Sequence, residues 1–413
     1  MKHSTLARFA IPAALAATLG LGACSASNET ALSASPSAAT AVSGDASSSP
    51  AGSDAAASTA DTSSAAPSTD ASGGMSASAS STGGPGGPLS GTLKGSGSTA
   101  QTAAMAAWVA GFQQKNSGVT VNYNPIGSGG GVTAFLAGSA SYAGSDAYLT
   151  TQELTSSQKV CGAGGALDIP AYVSPIAVVY NLPSVTALKL DAPTIAKIFL
   201  GTIKTWDDPA IKALNAGVTL PATPIAPVHR SDKSGTTKNF TDYLSKAAPS
   251  AWTAKPDQVW PVSGGESGNG TSGLIAAVKG GTGTIGYADA SQAGTLGKAS
   301  VKVGATFNAP TAAGAAKAVD ASTPVTGRPA GDLAITIDRT TTAAGAYPLV
   351  LLSYDIGCTK YSDAKQGALV KGLFSYITSS EGQAAAAKTA GSAPLSAALQ
   401  AKAVTSVAKI NAG

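Results

Sequence analysis

The chain has 413 residues, room for two or three domains at about 150 residues each. Hydrophobic residues make up 43% and charged residues only 12%, about half the usual charged fraction, so the chain as a whole is not a charge-rich disordered polymer. The formal net charge of +4 is unevenly spread: residues 1–24 carry Lys2 and Arg8 and no acid, and residues 25–90 carry five acids and no base. Residues 91–413 therefore hold 24 basic and 17 acidic side chains, a net of +7. That mild excess suits a small anion or an anionic surface. It argues against nucleic acid, which calls for a clustered basic stripe.

Residues 1–24 read as a lipoprotein signal peptide. Lys2, His3 and Arg8 form a positive segment, and an apolar stretch too short to span a bilayer follows. It ends in Leu21-Gly22-Ala23-Cys24. Small residues directly before a cysteine resemble a bacterial lipobox, in which a peptidase cuts before the cysteine and its thiol is acylated. Two or three chains of the palmitate kind on Cys24 would make a stable membrane anchor. Export leaves Cys161 and Cys358 in an oxidising compartment, either as a disulfide or as two unrelated buried thiols. Residues 25–90 are Ser, Ala, Thr, Gly and Pro with almost no large apolar side chain. They cannot bury enough surface to offset ordering and read as a disordered tether, spanning about 45 Å as a random coil.

In chain order, residues 92–94 predict a strand and the loop 95–99 opens a helix. In that helix Met105, Trp108, Val109 and Phe112 share one face. Residues 119–123 alternate as a strand, and a glycine-rich loop at 127–131 opens a second helix. A short strand at 142–144 runs into Ser145-Asp146, and 151–159 is a helix. Strands are predicted at 167–169 and 176–180, and helices at 194–200 and 209–214, the latter started by Asp caps in Trp206-Asp207-Asp208-Pro209. A strand at 225–228 ends at His229-Arg230. The run Ser231-Asp232-Lys233-Ser234-Gly235-Thr236 then opens a helix with Phe240, Tyr243 and Leu244 on its apolar face. A helix at 274–278, strands at 284–287 and 349–354, and a helical C-terminal stretch from 364 complete the series. Alternating strands and helices imply α/β layers.

Three loops share one arrangement. Ser98-Thr99, Ser128-Gly129 and Ser234-Gly235-Thr236 each place small hydroxyl and glycine residues between a strand and a helix. Such loops present unpaired N–H groups at the positive end of a helix, an anion cradle. Plain N-capping uses the same residue types. Gly281-Thr282-Gly283-Thr284-Ile285-Gly286 matches a dinucleotide fingerprint but has a helix before it and a strand after it, the reverse of what that fold needs. With only His3 and His229 in the chain, a zinc site or a Ser-His-Asp triad is poorly supplied. No metal and no cofactor are expected, and His229 reads as a strand-end residue.

Several stretches across 91–413 occur in the order found in a known family. They are Gly95-Ser-Gly-Ser-Thr99, Ile126-Gly-Ser-Gly-Gly-Gly131, Gly144-Ser-Asp146, Tyr180-Asn-Leu-Pro183, Ile203-Lys-Thr-Trp-Asp-Asp208, Arg230-Ser-Asp-Lys-Ser-Gly-Thr236, Thr284-Ile-Gly-Tyr287 and Tyr347-Pro348. The chain resembles the phosphate-binding proteins of high-affinity phosphate ABC transporters. The resemblance implies an α/β, two-lobed periplasmic-binding-protein-like fold of class II type with a hinged cleft. Lobe one would be 91–173 plus 347–413, and lobe two 174–346. Cys161 and Cys358 would then both lie in lobe one, which favours the disulfide.

Carried over residue by residue, the resemblance implies a phosphate site. Thr99 and the N–H of Ala100 would donate to the anion, although family members usually have Phe at the position of Ala100. Ser128, Ser234, Gly235 and Thr236 would supply hydroxyl and N–H donors. Arg230 would bind the anion, Asp232 would hold Arg230, and Asp146 would be the lone acceptor. Lys233 would be surface charge. The implied partners are inorganic phosphate and transmembrane permease subunits with a cytoplasmic ATPase. The implied place is the outer face of the bacterial cell membrane, as a lipid-anchored monomer without enzymatic activity. A phosphoester enzyme, a sensing module and a binder of sulfate or molybdate are the competing readings.

Overall fold

The computed structural model describes residues 88–412; the expected signal peptide, the acylated Cys24 and nearly all of the tether lie outside them. Eight strands form the body: β1 (Ser90–Gly97), β2 (Gly118–Asn124), β3 (Tyr142–Ser145), β4 (Ala166–Tyr180), β5 (Ala226–Arg230), β6 (Glu266–Gly268), β7 (Thr284–Asp289) and β8 (Val350–Cys358). Their spatial order is β2-β1-β3-β8-β4-β7-β5-β6, with the two-residue strand Gly297–Lys298 added beside β4. Parallel pairs run at β1 with β2 and β3 and at β5 with β6 and β7; β8 runs antiparallel to both β3 and β4.

Two hydrophobic cores lie on this sheet. The first gathers Leu93, Trp108, Phe112, Phe135, Tyr142, Tyr172, Ile356 and Phe374, and the second Val178, Ile195, Trp206, Phe240, Leu274 and Tyr287. The molecule is thus a two-lobed α/β fold. Helix α1 (Thr102–Lys115) buries Met105, Trp108 and Phe112 against the first core, the face that the sequence spacing predicts. Truncating a side chain as large and buried as Trp108 would cost about 3–5 kcal/mol.

Strand β4 joins the lobes. The sequence reading expects two strands, at 167–169 and 176–180, and the intervening stretch holds Pro170 and Pro175. The structure has one strand of 15 residues, all buried. Residues up to Pro175 pair with β8, and residues from Ile176 pair with β7. Pro170 faces Tyr354 at a bulge, which accommodates a residue with no N–H to give.

The crossing between lobes is more interleaved than the predicted boundaries. The helix Ala312–Asp320 and Ile337 pack in the first core rather than in the lobe assigned to 174–346. Along the returning strand, Leu349 and Leu351 enter the second core while Val350 and Leu352 enter the first. Successive strand side chains point to opposite faces, so a strand lying between two cores feeds both. Residues 297–343, left unassigned by periodicity, carry short strands besides that helix. Cys161 and Cys358 are disulfide-bonded, with Cα atoms 5.0 Å apart. Among the described residues, no helix is long and apolar enough to cross a membrane.

Candidate functional site

Four strand-to-helix loops converge between the two cores. The first follows β1. Gly97 has φ +151°, and a Cβ there would lie 2.0 Å from the Gly144 carbonyl oxygen, so only glycine permits this approach. Ser98 is fully buried; its Oγ accepts the N–H groups of Ala100 (3.1 Å) and Gln101 (3.4 Å) and donates to Asp146 Oδ1 (2.6 Å). Thr99 is half-buried, with its Oγ1 2.9 Å from Thr271 Oγ1. Ala100 is packed in the second core although its chain segment belongs to the first.

The second loop opens α2 (Ser128–Leu136). Ser128 is its first residue, and Ser128 Oγ accepts the Asp146 N–H at 3.1 Å. Plain capping does not account for a bond made eighteen positions away. It does describe Ser234, whose side chain caps α4 by accepting the Thr237 N–H at 3.1 Å (α3 is Thr151–Cys161 and α4 is Gly235–Ala247).

The third loop carries Asp146, which is 3% exposed. Its Oδ1 accepts from Ser98 Oγ and from Ser353 Oγ (2.7 Å), and its Oδ2 accepts from Thr236 Oγ1 (3.1 Å). Burial pushes its carboxyl above the usual range, and the three hydroxyl donors and the Arg230 charge oppose that shift. The loop is clasped from the other lobe. Asn239 Nδ2 donates to the Asp146 carbonyl oxygen at 2.6 Å, and a Cβ on Gly235 would lie 2.5 Å from Ser128 Oγ and 2.7 Å from Asp146 Cβ.

The fourth loop follows β5. Arg230 is 2% exposed, and its Nε and Nη2 donate to Asp232 Oδ1 (2.7 Å) and Oδ2 (2.5 Å), a two-pronged pair. Asp232 Oδ1 also accepts the Gly270 N–H at 3.0 Å. Burial raises Asp232, but the Arg230 hydrogen bonds and charge outweigh it and hold the carboxyl below its ordinary range. The Arg230 N–H donates to Tyr287 Oη at 3.2 Å. The Lys233 side chain is exposed, while its carbonyl oxygen accepts the Gly129 N–H at 3.1 Å across the cleft. His229 stacks on Trp260, with ring centroids 5.1 Å apart, and its Nδ1 lies 3.0 Å from the Arg230 carbonyl oxygen.

The site is therefore a buried assembly of N–H and hydroxyl donors around one guanidinium and two carboxylates. One carboxylate, Asp232, is committed to the guanidinium. The donor set suits a small oxyanion. Among the described residues no group of three His, Cys, Asp or Glu side chains gathers as a metal site would require.

A family model described as a PBP superfamily domain matches residues 82–381. Phosphate-binding protein PstS 3 of Mycobacterium leprae is 40% identical over 286 residues, which span 68% of this chain and 77% of that protein. The chain belongs to the PstS family of phosphate-binding proteins. Phosphate-binding protein PstS 2 of Mycobacterium tuberculosis is 38% identical over 327 residues, covering 77% of this chain and 87% of that protein. Among solved structures, a high-affinity periplasmic phosphate-binding protein (PfluDING) bound with phosphate shares the fold. Its TM-score is 0.60 at 24% identity, over 75% of this chain and 92% of that one.

All the PstS-type positions that the sequence reading selected in 91–413 come together here. The reading placed Ser98 in a hydroxyl-glycine loop without giving it a role of its own, and it missed Asn239, Thr271, Gln292, Arg339 and Ser353. Gly268-Asn269-Gly270-Thr271 has the same small-residue arrangement as the other three loops and opens α5 (Gly270–Gly280), so that signal was present. Ser353 sits inside a buried strand and offers none. Arg339, 2% exposed, comes from an unassigned stretch; it donates to the Pro348 (2.8 Å) and Val350 (2.9 Å) carbonyl oxygens, to Asp242 Oδ2 (2.9 Å) and to Asn239 Oδ1.

Proposed function

We propose that this PstS-family chain is an extracytoplasmic lipoprotein that captures inorganic phosphate between its lobes and delivers it to the permease of an ABC transporter. One observation carries the reading: the count of acceptor positions on Asp146. An ionised carboxylate offers about four acceptor positions and no donor. Three of them take Ser98, Ser353 and Thr236. The remaining one suits a donor brought by the ligand. Phosphate near neutral pH still carries a proton to give; sulfate carries none and would leave a buried carboxylate facing negative charge, a cost of several kcal/mol.

In this reading Arg230, held by Asp232, makes charge-assisted bonds to the anion. Thr99, Ser128, Ser234, Gly235 and Thr236 supply the neutral donors. The Ala100 N–H already donates to Ser98 Oγ; sharing it with the ligand is the role assigned to it. The relatives are binding proteins by name, and the chain is read as a binding protein rather than an enzyme. Acylated Cys24 would hold it on the outer face of the membrane, with residues 25–90 as the tether. Titration calorimetry of the full chain with phosphate, and separately with sulfate at the same pH and ionic strength, tests the reading. One saturable phosphate site and much weaker sulfate binding are expected. No phosphate heat, or equal affinity for both anions, overturns it.

A further inference from the structure

Thr271 stands at the start of α5 and reaches across the cleft to Thr99. Its N–H donates to Thr99 Oγ1 at 3.1 Å, and the two hydroxyl oxygens are 2.9 Å apart. Thr271 is 1% exposed. On its other side Arg230 Nη1 points at Thr271 Oγ1 from 3.5 Å, a long contact in which only the guanidinium can donate. A hydroxyl has one proton to give and two lone pairs to fill. Arg230 faces one of the two lone pairs of Thr271 Oγ1, and either threonine could donate in the hydroxyl pair. In one of these two arrangements the Thr271 proton turns toward Thr99. Thr99 Oγ1 then accepts twice from Thr271, once from the N–H and once from the hydroxyl. Its own proton has to point elsewhere.

We propose that Thr271 is a positioning residue for phosphate recognition: it completes a relay from Arg230 through Thr271 to Thr99 that turns the Thr99 hydroxyl outward as a fixed donor to the anion. The proposal rests on the reading of the cleft as a phosphate site. Thr99 stands on the chain segment before α1, and Thr271 stands on the second lobe, so the relay is complete only when the lobes meet. Anion binding and closure are thereby coupled through one hydroxyl pair. The Thr99 backbone is held separately: Gln292 Nε2 donates to the Thr99 and Ala100 carbonyl oxygens at 2.9 and 3.0 Å. Removal of the Thr271 hydroxyl therefore releases the direction of the Thr99 proton without releasing the loop.

The test is calorimetric titration of the full chain with inorganic phosphate for wild type, Thr271→Val, Thr271→Ser, Thr99→Val and the Thr99→Val/Thr271→Val double variant. Thr271→Val keeps the shape and the N–H and loses the hydroxyl; phosphate affinity is expected to fall about tenfold, the loss of one well-directed hydrogen bond. Thr271→Ser restores the hydroxyl and is expected to stay within about threefold of wild type. In the Thr99→Val background, Thr271→Val is expected to change affinity less than about twofold, because the relay has lost its end. A purely structural role for Thr271 would give additive losses instead. Additive losses, unchanged affinity in Thr271→Val, or failure of serine to rescue each overturns the relay while leaving the phosphate site in place. Loss of affinity in Thr271→Val with no effect of Thr99→Val also overturns it. Absence of phosphate binding by the wild type overturns the reading on which the relay rests.

Discussion

Thr236 and Asp146 meet across the cleft: the Thr236 hydroxyl, in the first turn of α4, donates to Asp146 Oδ2 at 3.1 Å from the opposite lobe. Ser98 and Ser353 occupy the other carboxylate oxygen from the first lobe's own loop and from β8. One carboxylate therefore gathers both lobes and, in the proposed phosphate reading, keeps one acceptor position for the ligand.

Asp146→Asn should narrow the preference for phosphate over sulfate. The amide oxygen can still accept from Ser98 and Ser353, and the amide nitrogen would donate to an unprotonated ligand oxygen while Thr236 rotates to accept. Phosphate affinity should change little, because a repulsion and a hydrogen bond are lost together. The ratio of sulfate to phosphate dissociation constants, measured by calorimetry at one pH, should fall by tenfold or more; an unchanged ratio removes Asp146 from the selectivity.

Arg230→Ala should weaken phosphate binding by about 2–5 kcal/mol, and Lys233→Ala by almost nothing. Arg230 is buried and paired with Asp232, whereas the Lys233 side chain is exposed. Equal losses in the two variants would mean that diffuse positive charge, not a shaped site, attracts the anion.

Asp355 gives the fold a pH-dependent stability. It lies on β8 opposite Gly144, and neither carboxyl oxygen has a hydrogen-bond partner among the described residues. Burial pushes its carboxyl up to about 8; the Gln101 amide opposes the shift but makes no hydrogen bond of ordinary geometry with it. The unfolded carboxyl ionises near pH ~4. Between about pH 4 and 8 the folded chain holds a proton that the unfolded chain has lost, so this stabilising contribution is full below that range and falls as pH rises, by about 1.4 kcal/mol per unit. Asp289, raised to about 6 by burial, adds a slope of the same sign in both proteins to be compared. Thermal melting from pH 5 to pH 8.5 should show Asp355→Asn gaining on wild type as pH rises; parallel curves would refute the assignment.

The Cys161–Cys358 bond ties the end of α3 to the end of β8, across a sequence separation of 197. Replacing both cysteines by serine should lower stability by about 2–4 kcal/mol, chiefly by freeing the unfolded chain. Urea denaturation of the oxidised wild type and the double variant measures the difference. Identical midpoints would show that the closed loop does not constrain the unfolded state.

Mass spectrometry of the membrane fraction should find the mature N-terminus at Cys24 carrying acyl mass. Cys24→Ala should release the protein into the soluble fraction. Retention of that variant on the membrane would exclude the lipid anchor.

The sequence alone was enough to identify the family and to select most of the residues that gather in the cleft, because each of these stretches is written in a few adjacent residues. Arg230, Asp232, Ser234, Gly235 and Thr236 lie within seven positions, and hydroxyl-glycine loops at strand ends announce themselves locally. Helix α1 was legible for the same reason: its periodicity is a local property. Only the tertiary structure decided how Asp146 is held, since Ser353 and Thr236 reach it from 207 and 90 positions away and Thr271 reaches Thr99 from 172. A buried serine in a strand has no local signature; its meaning depends on which carboxylate the folded chain brings opposite it. The same holds for Arg339, whose partners Asp242, Asn239, Pro348 and Val350 come together only when the two cores close on the shared strands. It holds too for β4, which reads locally as two short strands and which pairing with β8 and β7 keeps whole.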